Sequence, residues 1–158
     1  MADLPKLTAT DQQLLGLLQQ DARRTNRELA AAVGIAESTC LERIKGLRAR
    51  GVITGYRAEV DLAALGRPIR ALVQVRLQPK TSASVRSFRD ELLDLPETLA
   101  VSMVTGMDDF VVEIAVADVI RLRDFVLNHV TSRPDVADAR TSIVYEQRRA
   151  PVIRAAEV

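Results

Sequence analysis

Apolar and polar positions change period along the chain. Between residues 8 and 51 the period is helical. Leu14, Leu15, Leu17 and Leu18 form a broad apolar stripe. It follows Thr8-Ala9-Thr10-Asp11, a capping box with Thr8 as N-cap and Asp11 replacing the usual Glu. Thr25-Asn26-Arg27-Glu28 is a second capping box. The helix it opens runs through ELAAAV and stops at Gly34, where glycine tolerates a left-handed backbone. Ala30 and Ala31 are small enough to let two helices approach closely. A third pattern, IAESTCLERIKGLRARG, places Cys40, Ile44 and Leu47 on one face and closes at Gly51. Two short helices joined by a glycine-containing turn predict a helix-turn-helix. VITGYRAEV then predicts an extended segment bearing Thr54-Gly55, a wing.

Beyond Arg67-Pro68 the period shifts to two. Ile69, Ala71, Val73, Val75 and Leu77 alternate with Arg70, Gln74, Arg76 and Gln78, a half-buried strand. A helical stripe of Val85, Phe88, Leu92 and Leu95 follows, ended by Pro96. LAVSMVT and FVVEIAV, joined by GMDD, predict a β-hairpin. Leu122, Phe125, Val126 and Val130 mark a further helix, and VADARTSIVYE a last strand in which Ala139, Thr141, Ile143 and Tyr145 alternate. The order βαββαβ is ferredoxin-like, with two helices on one face of a four-stranded antiparallel sheet. The other face, with Leu72, Ser102, Val104, Val111, Ala115 and Val144, is too apolar for water and predicts self-association. The expected class is α+β: residues 1–60 a winged helix-turn-helix, 61–68 a linker, 69–148 the βαββαβ (ACT-like) domain and 149–158 a tail.

Composition narrows the chemistry. Hydrophobic residues are 47% of the chain, enough for cores rather than disorder. A lone cysteine, Cys40, forms no internal disulfide and fits a reducing compartment. With His129 the only histidine, no zinc ligand set is expected, and no cofactor. Cys40 reads as a small core residue, His129 as a helix-end residue favoured by the macrodipole. No secretory leader is visible, and no apolar run approaches the ~18 residues of a membrane span, so a cytoplasmic protein without a membrane partner is expected.

The net charge of +1 hides an asymmetry. From Arg23 to Arg57 there are eight Lys/Arg and three acids; from residue 61 onward there are thirteen basic and fourteen acidic residues. The first part therefore suits an anionic polymer. On the third helix Ser38, Thr39, Glu42, Lys45 and Gly46 point away from the apolar face, with Arg43 at its edge. Hydroxyls and long donors there suit a major groove. Arg43, Lys45, Arg48, Arg50 and Arg57 have no acid between them and, with Arg27, are expected at phosphates. The competing reading is a solvated helical hairpin packed on the second half of the chain.

The hairpin VTGMDDFVV puts two carboxylates, Asp108 and Asp109, at a turn. Adjacent strand residues point to opposite faces, which argues against a catalytic dyad. Two carboxylates are too few for a calcium loop. Two readings stay open: a plain hairpin turn, or an effector loop. In the latter, the Gly106 and Met107 amides would take an α-carboxylate and an Asp the α-ammonium. Thr105, Thr141 and Ser142 are further candidates, their hydroxyls brought near the hairpin across an interface.

This arrangement resembles the leucine-responsive/asparagine regulator (Lrp/AsnC) family of bacterial transcription factors. The resemblance covers nearly the whole chain. It is carried by LTATDQQLLGLLQQDAR, by TNRELAAAVGIAESTCLERIKGLRARGVITGYRAEVDLAALG, and by VTGMDDFVVEIAV with its Gly106, Asp109 and Phe110. The resemblance implies a recognition helix over residues 38 to 45, dimers that assemble into octamers or larger, and amino acids bound between dimers near the glycine–acid hairpin. It implies no enzymatic activity. One departure stands out: Ala36 where the family often has Ser at the N-cap. Glu42 sits mid-face, where Arg is also common. Glu42 either accepts from cytosine N4 or pairs with Arg43 or Lys45. Two rival functions remain: an architectural DNA-binding protein without effector, and an amino-acid-binding regulatory subunit.

Overall fold

In the computed structural model, which describes residues 6–156, both capping boxes form. Residues 1–5 and 157–158, the outer ends of the first segment and of the anticipated tail, lie outside the described residues. Thr8 Oγ1 accepts from the Asp11 amide at 3.2 Å, and the Asp11 carboxylate accepts from the Thr8 amide at 3.0 Å. They open α1 (Ala9–Gln20). Thr25 and Glu28 do the same for α2 (Asn26–Val33), which ends at Gly34 with φ 75°. The third helix, α3 (Glu37–Ala49), starts at Ala36 with no side-chain cap, so Ser38 does not replace the missing hydroxyl.

Leu14, Leu29, Ala30 and Cys40 form the core of this three-helix unit, with Leu17, Leu18, Val33, Ile35 and Ile44 around them. Ala31 is exposed, so Ala30 alone provides the close approach. Burial pushes the Cys40 thiol pKa up, as befits a core residue. Beyond Gly51 the Val52 and Ile53 amides both donate to the Leu47 carbonyl. Residues 54–60 then run without β pairing, so the expected wing is an unpaired segment. The four strands of the described residues all belong to a single sheet later in the chain, which leaves this segment no ladder to join.

The unit that ends at Ala58 is completed by the segment that begins at Arg148. Gln19 clasps Ile153, its Nε2 donating to the carbonyl at 3.1 Å and its Oε1 accepting from the amide at 2.8 Å. Val152 lies over Gly16, where an added Cβ would already touch it at 3.8 Å. The tail is therefore part of the first unit.

The second unit runs Glu59–Gln147. It contains β1 (Ile69–Leu77), α4 (Ser82–Leu93), β2 (Thr98–Met103), β3 (Phe110–Val116), α5 (Val119–Phe125) and β4 (Val136–Val144). The last helix continues past Phe125 as a π-helical turn, Val126–Thr131, which contains the exposed His129. The sheet order is β2-β3-β1-β4, all antiparallel. Ala71, Val73, Val75 and Leu77 meet Phe110, Val112, Ile114 and Val116 beneath Phe88, Leu92, Leu122, Phe125 and Val130. Phe88 and Phe110 stack with ring centroids 4.8 Å apart.

The opposite sheet face carries Leu72, Ser102, Val111, Ala115 and Val144, as the alternation predicts. It is more polar than expected, because Arg70 pairs with Glu113 across it. Gln74 Oε1 is shielded there without a hydrogen-bond partner among the described residues.

Candidate nucleic-acid interface and effector loop

The three helices of the first unit give α3 two sharply different faces. Cys40 and Leu47 are fully buried and Ile44 half-buried. Ser38, Thr39, Glu42, Lys45 and Arg48 are exposed. Asn26 on α2 donates to the Glu37 carbonyl at 2.8 Å, which fixes the start of α3 against α2. An open depression of about 520 Å³ lies beside Lys45, Arg48, Ile53, Thr54 and Gly55. Lys45, Arg48 and Arg57, and Arg27 on α2, are exposed and make no ion pair among the described residues.

Arg43 and Arg50, both expected at phosphates, also lie against a carboxylate within the unit. Asp11 is 3% exposed and sits against both. Arg43 donates to its Oδ1 at 3.0 Å and to Thr8 Oγ1 at 3.2 Å, while Arg50 lies 3.9 Å from Oδ2. Burial alone would raise the Asp11 pKa. The Thr8 amide and hydroxyl and the Arg43 guanidinium outweigh it, and the carboxyl sits below its ordinary value. Arg43 thus ties α3 to α1. Its partner lies 32 residues away in sequence. Glu42 is left with no hydrogen bond or ion pair among the described residues, so the alternative of a pairing with Arg43 or Lys45 does not form.

The hairpin between β2 and β3 is closed by the Val104 amide donating to the Asp109 carbonyl at 2.9 Å. Gly106 has φ 124°, a backbone that other residues rarely adopt, and Met107 is 80% exposed. The two carboxylates diverge as expected. Asp109 turns inward: its amide donates to the Val75 carbonyl and its Oδ2 accepts from the Leu77 amide, both at 2.9 Å. Lys80 holds its other oxygen. The Lys80 ammonium and the Leu77 amide keep the Asp109 carboxyl below its ordinary pKa. Asp109 is therefore engaged in holding the hairpin to the end of β1, not open to a ligand ammonium. Asp108 faces outward and receives two hydrogen bonds from Arg140 of β4, at 2.6 and 2.8 Å.

Thr105 is exposed beside Gly106. Thr141 and Ser142 are not brought to the hairpin within one chain. They pair with Val73 and Leu72, midway along the edge strand β4, with β1 between them and β3. Sequence reasoning missed Lys80 and Arg140. Their only sequence signal was positive charge, and the strand register that brings them to the hairpin is long-range.

Comparison with known proteins agrees with this geometry. An AsnC-type helix-turn-helix domain matches residues 7–48, and the Lrp/AsnC ligand binding domain matches residues 70–151. The chain belongs to the Lrp/AsnC family. This Lrp/AsnC protein is a DNA-binding transcriptional regulator and not an enzyme. It is 37% identical to the HTH-type transcriptional regulator AldR of Mycobacterium tuberculosis, over 91% of this chain and 80% of that one. It is 34% identical to the leucine-responsive regulatory protein of Rhizobium meliloti, over 90% and 91% of the two chains. Among solved structures, a Neisseria meningitidis transcriptional regulator in complex with L-Met superposes with a TM-score of 0.85 at 28% identity, covering 92% and 94%. No helix among the described residues of this Lrp/AsnC regulator is long and apolar enough to cross a membrane.

Proposed function

We propose that this regulator reads DNA through the outward face of α3, as a dimer or larger assembly, and that an amino acid or related metabolite at the hairpin shifts that assembly. The observation that carries the DNA reading is the division of α3 into a buried face and an exposed face of Ser38, Thr39, Glu42 and Lys45. Arg27, Arg48 and Arg57 are the phosphate contacts, without an ion-pair partner among the described residues. The cytoplasm is the compartment such a role requires.

The effector reading rests on Gly106, Met107 and Asp108, with Thr105 beside them. Exposed backbone at a positive-φ glycine receives a carboxylate, and the Asp108–Arg140 pair offers both signs of charge to a zwitterion. The Neisseria relative in its L-Met complex supports an amino acid as the class of ligand. Thr141 and Ser142 enter the site only if a second copy supplies them. The sheet face with Leu72, Val111, Val144 and the unsatisfied Gln74 supports self-association, with octamers or larger as the extended form. Coupling follows from linkage: the effector changes DNA binding only if it prefers one assembly state.

Fluorescence anisotropy on the DNA upstream of the protein's own gene tests both parts. The expected result is binding that resists bulk competitor DNA and shifts with a pool of amino acids. Binding erased by bulk DNA and indifferent to the pool supports an architectural protein instead.

A further inference from the structure

We infer that Glu42 is a specificity-determining residue that reads a cytosine in the major groove. The inference rests on α3 being the groove-reading helix and goes further, naming the base. At about 100° per residue, Glu42 lies close to diametrically opposite the stripe of Cys40, Ile44 and Leu47. It is thus aimed at whatever the helix docks against. One turn away on either side, Ser38 and Gly46 are small. Nothing taller on that row keeps a groove floor from the Glu42 carboxylate.

The carboxylate is also uncommitted. Arg43, its neighbour in sequence, is drawn to Asp11 on α1 at 3.0 Å. Lys45 forms no ion pair with it among the described residues. A carboxylate carried without a partner into the field of two phosphate strands weakens binding to every sequence unless the groove supplies a donor. Cytosine N4 is a donor with no acceptor beside it on the same base edge. Adenine N6 is a donor flanked by the N7 lone pair, which repels the second carboxylate oxygen. Guanine and thymine offer only acceptors and a methyl group. The side chain therefore rewards one base and penalises the others.

The test is selection of binding sites from a randomised duplex pool by the wild-type protein, Glu42→Gln and Glu42→Ala, followed by single-base affinity profiles at fixed salt. The wild type is expected to require a C·G pair at one position per half-site, losing roughly 10-fold when it is replaced. Glu42→Gln is expected to move that preference toward A·T, because a carboxamide both accepts and donates. Glu42→Ala is expected to lose the preference there while binding bulk DNA severalfold more tightly. Unchanged thermal melts show that both variants fold. Identical selected sites and profiles for all three proteins overturn the proposal and leave α3 as the reading helix. A wild type that selects no site above bulk DNA overturns the reading of α3 and the proposal with it.

Discussion

Replacing Asp109 by Ala is expected to destabilise the second unit first, and to affect any effector response only through that loss. The carboxylate accepts from the Leu77 amide at 2.9 Å, and Leu77 is 4% exposed. Removing an ionised acceptor from a buried amide costs about 1.5–3 kcal/mol. The Lys80 pair adds little, because the Lys80 side chain is 48% exposed and such pairs contribute roughly 0–1 kcal/mol. The sum is about 1.5–4 kcal/mol, equivalent to roughly 6–30 °C in Tm for a unit of this size. Asp109→Asn keeps an acceptor for Leu77 and should lose about half as much. The sign with pH follows from a folded-state pKa held low. The Asp109 contribution is fully present above the unfolded carboxyl value of about 3.9 and is lost as pH falls through the lower folded value. Calorimetric melts of wild type, Asp109→Asn and Asp109→Ala at pH 7, repeated below pH 4, check this. An Asp109→Ala melt within 2 °C (about 0.5 kcal/mol) of wild type at pH 7 would refute the scaffold role.

Other substitutions separate DNA contact from folding. Lys45→Ala should weaken binding to all sequences and lower the salt slope by about 1, read from binding isotherms across ionic strength. Arg43→Ala should leave the slope unchanged but lower the melting temperature of the first unit, since it abandons the buried Asp11; an altered slope with an unaltered melt would return Arg43 to the phosphate set. Ala36→Ser should supply the missing cap of α3 and add about 1 kcal/mol in denaturant titrations. Gly106→Ala should cost about 1–3 kcal/mol, because φ 124° strains any residue with a Cβ, and melts of the variant measure it.

What could be read in advance was local. The capping boxes at Thr8 and Thr25, the stop at Gly34 and the bare cap at Ala36 depend on residues within one turn of each other. The βαββαβ order followed from periods of two and 3.6, and the register then buried the alternating residues of β1 as expected. What escaped was set by distant partners. Asp11 captures Arg43 across 32 residues, a tie between helices that no local pattern signals. Lys80 and Arg140 reach the hairpin from β1's far end and from β4, and nothing near Asp108 or Asp109 in sequence signals either. The lack of β pairing over residues 54–60 was illegible for a related reason: an extended segment forms a ladder only beside a neighbouring strand, and composition does not say whether one is there.

The clasp of Gln19 on Ile153 has a consequence for biosynthesis. The DNA-reading unit is discontinuous in sequence, with all of Glu59–Gln147 inserted between its two pieces. On a translating ribosome its three helices emerge early, yet the segment that seats on Gly16 and Gln19 emerges after the whole second unit. A nascent chain can therefore carry a helix-turn-helix that still lacks its final contact until the four-stranded sheet of the second unit has been made.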